Sequence, residues 1–172
     1  SVVRDAFGNL DEQPVDSSRV VLFPTLYGGE YGPDLEFISK HASMTTEDVV
    51  MTHSSVAYLV YMVGFTPGFP YLGGLDGRLS VPRLETPRSM IPNGSVGIAE
   101  NQTGIYPASS PGGWRLIGRT PLDLFDSDRD PPSLLAAGDY VRFVPLADET
   151  QFSEIRSQIE LGSYKVMTEP SQ

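Results

Sequence analysis

Val56-Ala57-Tyr58-Leu59-Val60-Tyr61-Met62-Val63-Gly64-Phe65-Thr66-Pro67-Gly68-Phe69-Pro70-Tyr71-Leu72-Gly73-Gly74 runs from an apolar, β-branched and aromatic segment straight into a turn dense in proline and glycine. Val56 to Phe65 has the unbroken apolar character of a buried central strand. The chain then turns sharply, because Pro67 and Pro70 fix φ and remove backbone donors while the glycines permit positive φ. Phe65, Phe69 and Tyr71 lie among these turn formers and are too large to stand idle on a surface. They either plug the end of a barrel or line a groove.

The same pattern continues outward from this strand. Val20–Phe23, Ser95–Ala99, Thr103–Tyr106, Trp114–Arg119, Tyr140–Val144 and Tyr164–Thr168 read as further short strands. Pro92-Asn93-Gly94, Pro111-Gly112-Gly113 and Ala137-Gly138-Asp139 punctuate them as turns. Two short helices are expected after the first strand. One covers Asp34 to His41, with Leu35 and Ile38 on one face. The other follows an N-cap at Thr45 and carries Glu47 and Asp48 in its first turn. A third, Glu149 to Leu161, has Phe152, Ile155 and Ile159 on one stripe and stops at Gly162. Many short strands with two or three short helices predict a mainly β chain, closed or nearly closed into an antiparallel β-barrel. Residues 1–18 are polar and read as a tail or linker, and residues 19–172 read as the barrel domain.

Composition excludes several classes of function. The chain has 172 residues and is 40% hydrophobic, which suits one domain with a sizeable core and not a disordered segment. No apolar run approaches the ~20 residues that a membrane-spanning helix needs. There is no cysteine, and His41 and His53 are the only histidines, so no metal site is expected. The net charge of −10 opposes nucleic-acid binding, and the helix pair sets Asp34, Glu36, Glu47 and Asp48 against Lys40 alone. No GxxxxGK[ST] or GxGxxG motif occurs, so no nucleotide or other cofactor is expected on this chain by itself. The absence of cysteine and of an export signal suits the cytoplasm.

The charge is uneven. Gly64 to Arg119 holds five arginines against three acids, a net +2, which leaves −12 for the rest of the chain. The same region carries most of the turn formers and aromatics, including Trp114. Within it, Asn101-Gln102-Thr103-Gly104-Ile105-Tyr106 offers amides, a hydroxyl and a phenol, groups that bind amides or carboxylates and polarise carbonyls. A turn between strands accounts for Asn101 and Gly104 equally well. Arg83, Arg88, Arg115 and Arg119 either form an oxyanion-binding cluster or are separately solvated and ion-paired. His53 ends the second helix, where it is either structural or an acid/base group near the apolar strand.

The ordered blocks GFTPGFPYL (64–72), PR (82–83), PR (87–88), PNGSVGIA (92–99), NQTGIYP (101–107), SPGGWRLIGRTP (110–121) and GDYVRFVP (138–145) resemble the family called 5-oxoprolinase B subunit, allophanate hydrolase subunit 1 or kinase A inhibitor. The resemblance runs from about Val20 to Leu146. It implies a cyclophilin-like β-barrel and a companion C subunit of related fold. With an A subunit that uses ATP, it implies the opening of 5-oxoproline to glutamate. Other family activities are a urea carboxylase/allophanate hydrolase-type carboxyltransferase and a protein-binding inhibitor of a sensor histidine kinase. The small N-terminal domain usual in the family has no counterpart in this sequence. Under the resemblance the substrate is a small anionic lactam or amide. For such a substrate Gln102 and Tyr106 are the candidates to hold the lactam carbonyl, and His53 is the remaining candidate for proton transfer. Arg83, Arg88, Arg115, Arg119, Asn101 and Thr103 are the candidate substrate-binding residues. Phe65, Pro67, Phe69, Pro70, Tyr71 and Trp114 form the groove or the partner surface.

Overall fold

In the computed structural model, which describes residues 18–171, seven strands close into a barrel. They are β1 (Arg19–Tyr27), β2 (Tyr58–Val63), β3 (Pro70–Gly73), β5 (Ser95–Ala99), β6 (Gln102–Ile105), β8 (Arg115–Arg119) and β9 (Tyr140–Pro145). The order around the wall is β1-β8-β5-β6-β3-β2-β9, and β9 returns to β1. β4 (Arg88–Ile91) and β7 (Ser110–Gly112) form a separate two-stranded sheet. β10 (Thr168–Pro170) pairs with the start of β1. Residues 1–17 of the expected tail lie outside the described residues.

Every ladder is antiparallel except β1–β9, which is parallel from Val20↔Tyr140 to Thr25↔Pro145. A parallel pair needs a long connection, and the whole barrel lies between these two strands. β1 also explains its own proline. On its other edge it pairs with β10 through Val21 and with β8 from Leu26. Leu22 N donates to Met167 O and Gly28 N to Ile117 O, so even-numbered residues of β1 face that edge. The N–H that Pro24 lacks would point into the gap between the two partners, where no ladder bond is lost.

The core fills the barrel with Val21, Phe23, Tyr58, Val60, Ile98, Ile105, Val141 and Phe143. Burial of each such side chain stabilises the fold by about 1.5–3 kcal/mol relative to exposure. α1 (Leu35–Ala42) and α2 (Thr46–Ser54) add Leu35, Ile38 and Val49 to this core. The Thr45 hydroxyl caps α2 by accepting from Asp48 N at 3.0 Å. α3 (Glu149–Glu160) starts at an Asp148 cap and leaves Phe152, Ile155 and Ile159 half-buried against the barrel. No helix among the described residues is long and apolar enough to cross a membrane.

Three local departures from the sequence pattern have physical causes. The apolar run 56–65 is buried only at Tyr58 and Val60, while Tyr61, Met62 and Phe65 are 65%, 52% and 94% exposed. One face of this wall strand points away from the core, and a register shift between Val60 and Met62 adds to the exposure. The segment expected as a strand at Tyr164–Thr168 is irregular up to Met167, although Tyr164 and Val166 still pack against the core. β3, β4 and β7 escape the pattern because they are short and contain or adjoin proline and glycine.

Candidate functional site

The outer face of the barrel carries a groove of about 530 Å³ above β3, β6 and β7. β6 explains the groove's floor. Thr103 and Ile105 are fully buried and point into the barrel, while Gln102 lines the groove. Gly104 lies beneath the groove's rings: a Cβ on it would stand 2.9 Å from Trp114 and 3.1 Å from Phe69. Bare backbone therefore lets two aromatic rings settle on the sheet. Gly112 plays the same part opposite Tyr106, whose hydroxyl would be 2.5 Å from an added Cβ.

Phe69, Tyr71, Tyr106 and Trp114 form one aromatic cluster. Phe69 meets Tyr71, Tyr106 and Trp114 edge-on, at centroid separations of 5.1, 5.8 and 5.7 Å. Such pairs add about 0.5–1.5 kcal/mol each beyond burial and fix ring orientation. The cluster shares a small second core with Ile91, Ala99 and Leu116. Burial pushes the Tyr106 phenol above its ordinary pKa, against the opposing pull of the Trp114 backbone bond and the charges of Arg83 and Arg88. The phenol is therefore a hydrogen-bond donor at neutral pH. Arg83 lies on the lining and has no hydrogen bond or ion pair among the described residues. Phe65 borders the mouth, almost fully exposed, with a left-handed φ of 67°. Its backbone is strained, since a non-glycine residue rarely adopts that conformation.

The structure brings together Phe65, Phe69, Tyr71, Gln102, Tyr106, Trp114 and Arg83 on this one surface. It disperses the other candidates. Arg88 donates to both oxygens of Asp34, at 2.7 and 3.0 Å, and so ties β4 to the start of α1. Arg115 donates to Pro82 O and lies 3.6 Å over the Phe37 ring. Arg119 lies 5.0 Å over the Tyr31 ring. Asn101 is exposed in the two-residue turn between β5 and β6, Pro67 is exposed on the β2–β3 loop, and Pro70 is buried at the start of β3.

His53 is fully buried inside the barrel, packed against Phe143 at 4.5 Å. Its Nε2 lies 2.9 Å from Thr103 Oγ1, which donates to Gly97 O, and its Nδ1 lies 2.8 Å from Tyr27 Oη. This network assigns the proton to Nε2 and makes Nδ1 the acceptor of the Tyr27 hydroxyl. Burial lowers the His53 pKa to about 3. The imidazole is a neutral core group and does not reach the groove.

The sequence pattern missed Thr66, Ser110 and the Pro111–Gly113 backbone as groove lining. Pro111-Gly112-Gly113 carried a turn signal, and Thr66 and Ser110 lie inside the blocks GFTPGFPYL and SPGGWRLIGRTP without being singled out as lining. A second cavity of about 460 Å³ lies between α2 and the ends of β1 and β9. It is apolar and bears no basic side chain, whereas the groove combines a guanidinium, an amide and a phenol. The groove is the better candidate site.

Residues 1–135 match the family model described as carboxyltransferase domain, subdomain C and D. The chain is 51% identical over 152 residues to the 5-oxoprolinase B subunit of Bacillus subtilis (strain 168), covering 87% of this chain and 63% of that protein. Its fold matches the crystal structure of a conserved uncharacterized protein from Pyrococcus horikoshii with a TM-score of 0.75 and 53% identity, over 77% of this chain and 61% of the other. It also matches the crystal structure of the K. lactis urea amidolyase, with a TM-score of 0.76 and 25% identity, over 90% of this chain and 11% of that one. The chain thus spans somewhat less than two thirds of the B. subtilis relative.

Proposed function

Because this chain belongs to the carboxyltransferase-domain family, subdomains C and D, we propose that it is the barrel subunit of an ATP-dependent 5-oxoprolinase, which opens 5-oxoproline to glutamate together with the A and C subunits of such an enzyme. The observation that carries this reading is an aromatic-walled groove with one unpaired guanidinium beside an amide and a phenol. A five-membered lactam bearing a carboxylate matches that chemistry. Its ring suits the faces of Phe69, Tyr71 and Trp114. Its carboxylate suits Arg83, and its carbonyl suits the donors of Gln102 and Tyr106. Donors aimed at the carbonyl oxygen stabilise the charge that develops there when the carbonyl carbon is attacked, before the C–N bond breaks.

Among the described residues the groove lining offers no acid/base pair, so a C subunit seated over its mouth would complete the site. Tyr61, Met62 and Phe65 leave exposed apolar surface for that contact. ATP is assigned to the A subunit, since this sequence has no nucleotide-binding motif.

The test is reconstitution of the chain with its companion subunits and measurement of ATP-dependent glutamate formation from 5-oxoproline. Arg83→Gln should raise KM about tenfold or more while leaving the complex intact. No glutamate formed by the intact complex would overturn the proposal. The K. lactis match supports a second reading, a urea carboxylase-type carboxyltransferase subunit. Urea is neutral and gives Arg83 no partner, so urea-dependent turnover indifferent to Arg83→Gln would favour it.

A further inference from the structure

We propose that the cavity between β8, the Pro92–Gly94 turn and α3 binds a small oxyanion, a carboxylate or a phosphate, on the guanidinium of Arg119. Among the described residues, Arg83 and Arg119 are the two arginines whose side chains have no hydrogen bond or ion pair to the protein. Arg83 belongs to the groove. The Arg119 side chain, on a residue whose backbone is paired within β8, is held by packing alone. It lies over the Tyr31 ring, and its Cγ would be 3.5 Å from a Cβ on Gly94. Its Nε, like that of Arg129, is shut off from solvent and has no partner among the described residues, but the Arg129 guanidinium is held through its other nitrogens and that of Arg119 is not. A buried donor left unpaired is rare and costs free energy, and a bound ion or ordered water is a common resolution.

The surroundings fit an anion. Arg119 lines a cavity of about 290 Å³ with Arg156, Thr120, Asn93 and Phe152. Arg156 is already fixed there by Pro121 O and Asp123 Oδ1, both at 2.9 Å, and by Glu160 at 3.2 Å. Thr120 is 2% exposed; its hydroxyl oxygen accepts from Leu122 N, and its proton has no acceptor among the described residues. The nearby Glu149 is engaged by the Tyr31 hydroxyl, from which it accepts at 2.9 Å. Among the described residues, no acid lines the cavity itself. Phe152, Pro92, Pro121 and Leu122 form its apolar wall, which strengthens any charge pairing inside it. A guanidinium presents paired donors that match carboxylate and phosphate oxygens. The chain's net charge of −10 opposes diffuse anion binding, so anion affinity here has to be local.

The experiment is a titration of the chain with inorganic phosphate and, separately, with acetate, at ionic strength held constant with sodium chloride. Binding is followed by thermal shift and by the Arg Nε–H resonances. Saturable binding that shifts the Arg119 Nε–H and is weakened about tenfold or more by Arg119→Gln is the expected result. Tighter binding of phosphate points to a phosphate ester, and tighter binding of acetate to a carboxylate. Arg119→Lys, which keeps the charge but not the fork, should weaken binding too and serves if the glutamine variant does not fold. No saturable shift in the native chain would overturn the proposal. So would unchanged affinity in a folded Arg119 variant, or affinity lost on Arg83→Gln instead.

Discussion

Replacing His53 with glutamine should remove most of the chain's sensitivity to mild acid. The folded-state pKa of His53 is held down to about 3 by burial, below its ordinary value of 6.5. The unfolded chain therefore binds a proton that the folded chain refuses. The resulting stability is fully present above pH 6.5 and is lost as the pH falls from there toward 3. Well inside that window the slope approaches about 1.4 kcal/mol per pH unit, so the loss from pH 7 to pH 5 is about 2 kcal/mol from this one group. Asp76, held at about 2 by Arg78, acts only at more acid pH, as the pH falls from its ordinary 3.8 toward 2. Glutamine can still accept from the Tyr27 hydroxyl and donate to Thr103, so the variant is expected to fold. The assay is urea unfolding of both proteins at pH 7, 6 and 5. The native curve should steepen with acid while the His53→Gln curve stays nearly flat. Parallel losses in the two proteins would refute a buried neutral imidazole.

Two further outcomes are expected. Gly104→Ala places a methyl group 2.9 Å from Trp114 and 3.1 Å from Phe69, so it should cost about 1–3 kcal/mol by overpacking. Its tryptophan fluorescence should shift as the aromatic cluster moves, and an unchanged melting temperature and spectrum would contradict the packing described. Phe65→Ser removes a ring that is 94% exposed, so stability should change by no more than about 0.5 kcal/mol. Co-elution with a companion subunit should nevertheless be lost or weakened about tenfold, as measured by size-exclusion chromatography.

Elements governed by local chemistry were legible in the sequence. α2 has its cap at Thr45, β5 spans Ser95–Ala99 directly after the Pro92-Asn93-Gly94 turn, and α3 ends before Gly162 at a φ of 71°. Elements made by distant contacts were not. β4 and β7 have little strand character of their own. Their sheet rests on Ile91 in the aromatic core and on the Arg88–Asp34 pair, joined across 54 residues. Asp34 stands where a helix cap is expected, yet its carboxylate does not cap α1. It accepts from Arg88 and from Leu116 N at 2.7 Å. The parallel closure of β1 on β9 was equally hidden, because strand direction within a barrel is set by topology and not by side-chain alternation.

The site was half legible for a related reason. Asn101 to Tyr106 look like one polar cluster in the sequence, but a strand's two-residue period divides them between opposite faces. Gln102 and the bare Gly104 floor the groove, and Tyr106 joins its aromatic wall. Thr103 turns inward to His53, and Asn101 stays in the exposed turn. The buried bonds from Tyr27 through His53 and Thr103 to Gly97 therefore fix the register of the strand whose other face carries the groove. A slip of one residue would turn Thr103 out and Gln102 in, stranding a buried imidazole without its acceptor while burying an amide beside it. His53 thus bears on the groove only through the position of β6, by geometry, since its buried imidazole faces the barrel interior and not the groove lining.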